Sequence, residues 1–160
     1  MSDAGPLQAG TPAPEFTLKR EDGSDFTRAD LLGHTTLLVF YPFAFSPLCT
    51  DQLGLYEEVL GDYLAKRDVA MYGVSCDASW SQTAFREKLG VSIPQLSDFE
   101  PKGEVCRAFG VYHPGGFPQR ALVIVDPAGS VAWSYQAPSP RDLPGANLIF
   151  DGLDQLTART

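Results

Sequence analysis

Three stretches of the chain are almost continuously apolar. TTLLVFYP at 35–42 is rich in β-branched and aliphatic residues, and DVAMYGVSCD at 68–77 repeats the pattern. Runs of this kind belong to strands buried on both faces of a sheet. The third, ALVIVD at 121–126, is separated from SVAWSYQ by the turn residues Pro-Ala-Gly, which predicts a hairpin. Shorter strands are expected on either side of a turn at 21–24 within PEFTLKREDGSDFTRADLLG, and at IPQLSD. Helices are expected from Pro47 to about Lys66, over SWSQTAFREKL with Gly90 past its end, over PKGEVCRAF closed by Gly110, and over ANLIFDGLDQL.

The predicted order is ββ, β, α, β, α, β, α, ββ, α. Strands alternating with helices give an α/β fold, and the late hairpin makes the sheet mixed. At 160 residues the chain fits one domain, 1–160, large enough to form a core without a disulfide framework. The proline-rich stretch QAPSPRDLPGA reads as a surface loop, because a core helix follows it.

Charge removes several function classes. The net charge is −8, whereas nucleic-acid binding needs clustered Lys and Arg, so no nucleic-acid partner is expected. No apolar run approaches the ~20 residues of a membrane span. The first residues lack the basic and apolar regions of a signal peptide. Three widely spaced cysteines form no disulfide framework, and two isolated histidines, His34 and His113, complete no zinc spacing. A cytoplasmic protein with reduced thiols is the expectation.

The chemistry concentrates in VFYPFAFSPLCTDQL. Pro42 ends the first buried strand by removing a ladder donor. Ser46-Pro47 then opens a helix, with proline at the first helical position and Ser46 at the N-cap. Cys49 is thereby the third helical residue. A cysteine in a first turn lies among unpaired N–H groups at the positive end of the helix dipole, which favours the nucleophilic thiolate. Geometry alone leaves an inert, buried cysteine equally possible.

The set Pro42-x-x-x-Ser46-x-x-Cys49 resembles the active-site motif of the peroxiredoxins, Pro-x-x-x-Thr/Ser-x-x-Cys. Gln52 stands where that family usually has Glu and sometimes Gln, and Arg120 opens RALVIVD, similar to the family's Arg-containing strand. The likeness extends through GTPAPEFTL, GVSCD, IPQLSDF and GEVCRAFGVY. FYPFAFSPLC and the closing PRDLPGANLIFDGLDQL are similar to the one-cysteine alkyl hydroperoxide reductase E subgroup. This resemblance implies a thioredoxin-like fold with a central mixed sheet flanked by helices and an N-terminal β-hairpin extension. It implies reduction of hydrogen peroxide, organic hydroperoxides or peroxynitrite, with no metal or organic cofactor. A thiol or redoxin reductant and a homodimer are expected on the same ground.

Carried over residue by residue, the resemblance makes Cys49 the peroxidatic cysteine, Pro42, Ser46 and Arg120 its shell, and Gln52 a supporting residue. Serine keeps the hydroxyl of the commoner threonine but lacks the methyl that restricts its rotamer. Full ionisation would raise the reactive fraction of an ordinary cysteine at pH 7 only about 30-fold, or ~2 kcal/mol. Enzymatic accelerations are far larger, so charge stabilisation by Arg120 and alignment of the O–O bond must supply most of the catalysis.

The position five residues after Cys49, where some peroxiredoxins carry a resolving cysteine, is Gly54. Cys76 and Cys106 stand as possible resolving residues, with packing as the bland reading of each. A one-cysteine route is expected first, internal resolution second. Gln52 also occupies the place that a Cys-x-x-Cys oxidoreductase would need for its second thiol. A peroxide-sensing relay on the same scaffold is the other alternative. Phe43, Phe45 and Phe117 are candidates for an apolar entrance, and HPGGFPQ for a pocket rim near Arg120.

Overall fold

The computed structural model describes residues 5–158. Its strands are β1 (Thr17–Arg20), β2 (Asp25–Thr27), β3 (Thr35–Phe40), β4 (Val69–Ser75), β5 (Gln95–Ser97), β6 (Tyr112–His113), β7 (Phe117–Pro118), β8 (Ala121–Val125) and β9 (Val131–Gln136). Its helices are α1 (Pro47–Lys66), α2 (Ser79–Leu89), α3 (Glu104–Ala108) and α4 (Ala146–Ala158). The order follows the hydropathy pattern closely. The structure adds a short 3-10 turn at Arg28–Leu31 and a small β6–β7 hairpin, where the sequence pattern predicts only loop. Two-residue strands are too short for apolar periodicity to register.

One sheet of order β2-β1-β5-β4-β3-β8-β9 forms the centre. β3 pairs in parallel with β4 and antiparallel with β8, so both its edges are occupied. That explains its uninterrupted apolar run. The N-terminal β1–β2 hairpin joins the edge through antiparallel pairing of β1 with β5. The sheet is mixed and flanked by helices, as in thioredoxin-like proteins.

Alternation along the central strands makes two separate cores. Leu38 and Phe40 of β3, Val74 of β4, and Val123 and Val125 of β8 face a layer that includes Phe16, Phe26, α3 and Phe109. Leu37, Val39, Leu122 and Ile124 face α1, α2 and α4. Helix α1 buries Cys49, Gln52, Leu53, Tyr56, Leu60 and Leu64. These recur at three- and four-residue spacing, which puts them on one face. No helix among the described residues is long and apolar enough to cross a membrane.

Before α3, Gly103 adopts φ +73°, and a Cβ there would collide with the Tyr112 ring. Gly103→Ala is therefore expected to destabilise the fold by about 1–3 kcal/mol. Urea denaturation of the variant checks this, with a lowered midpoint expected.

Candidate active site

The end of β3 and the start of α1 are joined by a tightly held segment. Tyr41 N donates to Val74 O (3.0 Å), one last rung beyond β3, and the buried Pro42 ends the ladder. The turn that follows places Phe45 at φ +70°, a conformation that costs a non-glycine residue energy. Asp77, just beyond β4, offsets that cost. Its carboxylate accepts from Ala44 N and from the Ser75 hydroxyl, both at 2.8 Å. Ser75 Oγ in turn accepts from Gln82 of α2 (2.9 Å).

Ser46 caps α1 as its sequence predicts: extended backbone, Pro47 at the first helical position, and Oγ accepting from Cys49 N at 3.4 Å. Cys49 lies in the first turn, fully buried against β3 and the α2 side of the sheet. Beside it, burial pushes the Tyr41 phenol well above its ordinary range. Tyr41 remains a neutral donor, bonded to Gln95 Oε1.

Arg120 immediately precedes β8, in phase with Leu122 and Ile124, and therefore lies on the Cys49 face. It is only 3% exposed. Its Nη1 donates to Gln52 Oε1 (2.6 Å) and its Nε to Pro140 O (2.9 Å). Both acceptors are neutral, and among the described residues no carboxylate pairs with it. Nη2 makes no hydrogen bond to described protein atoms. A permanent cation is thus held in the interior without a countercharge, an arrangement that favours an anion beside it.

Gln52 follows Cys49 by almost one helical turn. Its Nε2 donates to Tyr56 OH (3.3 Å), and Tyr56 OH donates to Pro144 O (2.6 Å). Burial raises the Tyr56 phenol to about 12, so it stays protonated at neutral pH. The 137–145 loop therefore supplies two carbonyls that fix Arg120 and Tyr56.

Arg120 meets Gln52 three residues along α1 from Cys49, whose N–H Ser46 caps, and Pro42 lies on the segment that leads into that helix. Arg120 is no surface ion-pair residue and Gln52 no solvated helix position, because each side chain is buried against the other. Cys76 and Cys106 are elsewhere. They belong to the core on the opposite face of the sheet.

Of the aromatic candidates, Phe43 packs on Phe117 (ring centroids 5.1 Å) and Phe117 stacks on His113 (4.3 Å), whereas Phe45 turns to Phe85. The β6–β7 hairpin thus reaches Phe43 through Phe117. Sequence reasoning missed Tyr56 and Asp77. Tyr56 was findable from its helical spacing to Cys49 and Gln52. Asp77 follows the carboxyl end of a central strand, where ligand sites of α/β sheets gather.

Against known proteins, the AhpC/TSA family profile matches residues 9–134. The chain is 30% identical over 154 residues to alkyl hydroperoxide reductase E of Mycobacterium tuberculosis (strain ATCC 25618 / H37Rv), covering 95% of this chain and 99% of that protein. It is 38% identical over 108 residues to peroxiredoxin Bcp of Escherichia coli K12, covering 67% of each. Among solved structures, Enterococcus faecalis AhpC superposes with a TM-score of 0.84 at 25% identity over 96% of both chains. Peroxidoxin BcpB of Mycobacterium tuberculosis gives 0.78 at 25% identity, covering 95% of this chain and 97% of that one.

Tyr56→Phe would leave Pro144 O and a Gln52 N–H unpaired in the interior. A loss of about 1–3 kcal/mol in unfolding free energy is expected, read from chemical denaturation.

Proposed function

The chain belongs to the AhpC/TSA family and is a peroxiredoxin, a thiol-dependent peroxidase; from that premise we propose that Cys49 is the cysteine that attacks the peroxide. The observation that carries this reading is Arg120, a buried cation paired only with neutral acceptors and held by Gln52 a turn from Cys49.

In the proposed reaction, the Cys49 thiolate attacks one peroxide oxygen. The O–O bond breaks, the sulfur becomes a sulfenic acid, and the second oxygen leaves as alkoxide or hydroxide. Nη2 of Arg120 stabilises that developing charge, while the Ser46 hydroxyl and first-turn N–H groups align the peroxide. Gln52, itself anchored through Tyr56, fixes the guanidinium so that little reorganisation is needed during the reaction. Pro42 shields the sulfur from water. Because Cys49 is fully covered at rest, peroxide entry requires the 43–46 segment to yield locally.

An external thiol or redoxin then reduces the sulfenic acid, in a one-cysteine cycle. Supporting this, Cys76 and Cys106 lie in the core across the sheet from Cys49. Hydrogen peroxide, organic hydroperoxides and peroxynitrite are the substrates in this proposal. The exposed Phe43, packed on Phe117, suits an apolar alkyl group. The chain works as one thioredoxin-like domain, 1–160, in a cytoplasmic homodimer.

Stopped-flow mixing of reduced protein with hydrogen peroxide tests the assignment. Trp133 shares the core of Cys49 and is the expected fluorescence reporter. Fast oxidation confined to Cys49, found by mass spectrometry as a sulfenic acid, is expected, and Cys49→Ser should abolish it. A disulfide from Cys49 to Cys76 or Cys106 would overturn the one-cysteine cycle.

Arg120→Ala should slow peroxide reduction by about 10²–10³-fold, well beyond any change in thiol ionisation measured on the same variant. A rate loss that the ionised fraction fully explains would remove Arg120 from the transition state.

A further inference from the structure

The face of the sheet opposite Cys49 carries a second group of reactive side chains. Cys76 follows β4, and Asp98 follows β5. These strands pair in parallel with Ser75 opposite Ser97, so the two residues emerge side by side. Cys106 comes from α3. Its placement is fixed by Asp98, whose carboxylate accepts from Val105 N (3.1 Å) and Cys106 N (2.8 Å). Both sulfurs and a carboxylate oxygen lie within 4.8 Å of one another. No basic side chain among the described residues pairs with Asp98.

The two thiols differ in access. Cys106 is fully buried, whereas Cys76 is half-buried. Burial, with Cys76 and Asp98 adding to it, pushes the Cys106 thiol well up, so it stays protonated at rest. Burial also raises the Asp98 carboxyl, bringing it closer to holding a proton.

We propose that Cys76 and Cys106 form a second redox site, a reversible intrachain disulfide that closes independently of Cys49. The oxidant is the peroxide on which the protein's activity depends. Cys76 gives up its proton and, as thiolate, attacks a peroxide oxygen; the O–O bond breaks, Cys76 becomes a sulfenic acid and the other oxygen takes up that proton and leaves as alcohol or water. Cys106 gives its proton to Asp98 and attacks the Cys76 sulfur. The S–O bond breaks as the S–S bond forms, and hydroxide leaves as water with the proton that Asp98 returns. The two cysteines together lose two electrons, the peroxide gains them, and the sum is two thiols plus ROOH giving a disulfide, ROH and water. The bond joins α3 to the end of β4 and so restrains the segment between them.

The test uses reduced Cys49→Ser protein, exposed to excess hydrogen peroxide, then alkylated and digested without reductant. A peptide pair joined through Cys76 and Cys106 is expected, released by dithiothreitol. The oxidised form should melt several degrees above the reduced one, a difference absent from Cys49→Ser/Cys76→Ser. Wild type in the same excess of peroxide should yield the same joined peptides, after the fast phase in which Cys49 alone is oxidised. Asp98→Asn, which keeps an acceptor oxygen for one of the two α3 amides, should slow closure, and an unchanged rate would overturn the carboxylate's part. Cys76 and Cys106 both fully alkylated after peroxide and after diamide would overturn the proposal. So would Cys76 stopping at sulfinic acid beside a free Cys106. Because Cys49 is absent from the test protein, such a failure leaves the assignment of Cys49, read on wild type, untouched.

Discussion

The hydrogen bond from Arg120 to Gln52 is the contact around which this site is built. A guanidinium cannot shed its charge, so burying it requires acceptors placed in advance. Gln52 and Pro140 supply two neutral oxygens that hold the group, while Nη2 remains to donate. A carboxylate at position 52 would neutralise the cation more fully. Glutamine satisfies the hydrogen bond while leaving the positive charge to act on whatever anion forms at Cys49.

That one contact ties together parts of the chain far apart in sequence. Gln52 belongs to the helix that Cys49 begins, Arg120 to the edge of β8, and Pro140 and Pro144 to the loop before α4. The strained turn at Phe45 is held separately, by Asp77 at the end of the neighbouring strand. The first turn of α1 is thus gripped from β4 on one side and β8 on the other. Both strands flank β3, which delivers the chain to the site.

The sheet also divides the protein's thiol chemistry. Arg120, in phase with Leu122 and Ile124, lies on the face that holds Cys49 of α1, whereas Cys76, in phase with Val74, joins Cys106 of α3 in the other core. A barrier one sheet thick is consistent with the proposed cycle, in which Cys49 depends on an external thiol, and it sets Cys76 and Cys106 beside each other and apart from Cys49.

Much of this was legible in the chain. The apolar runs identified the central strands, because a strand buried on both faces has no room for polar alternation. Ser46-Pro47 marked the helix start, because proline and an N-cap hydroxyl each satisfy a local backbone requirement. Cys49 therefore had its first-turn position by sequence alone. What lay beyond reach was pairing between distant segments. Nothing local to Gln52 or Arg120 says that they meet across 68 residues, nor that two prolines of a loop read as surface lend their carbonyls to the interior. Nor does spacing show that Cys76 and Cys106 share a face away from Cys49. Backbone propensity and hydropathy are properties of neighbouring residues and are written in their order. The burial of a charge and the company of a thiol are set by which strands lie side by side and which way each residue points, and only the tertiary structure decided those.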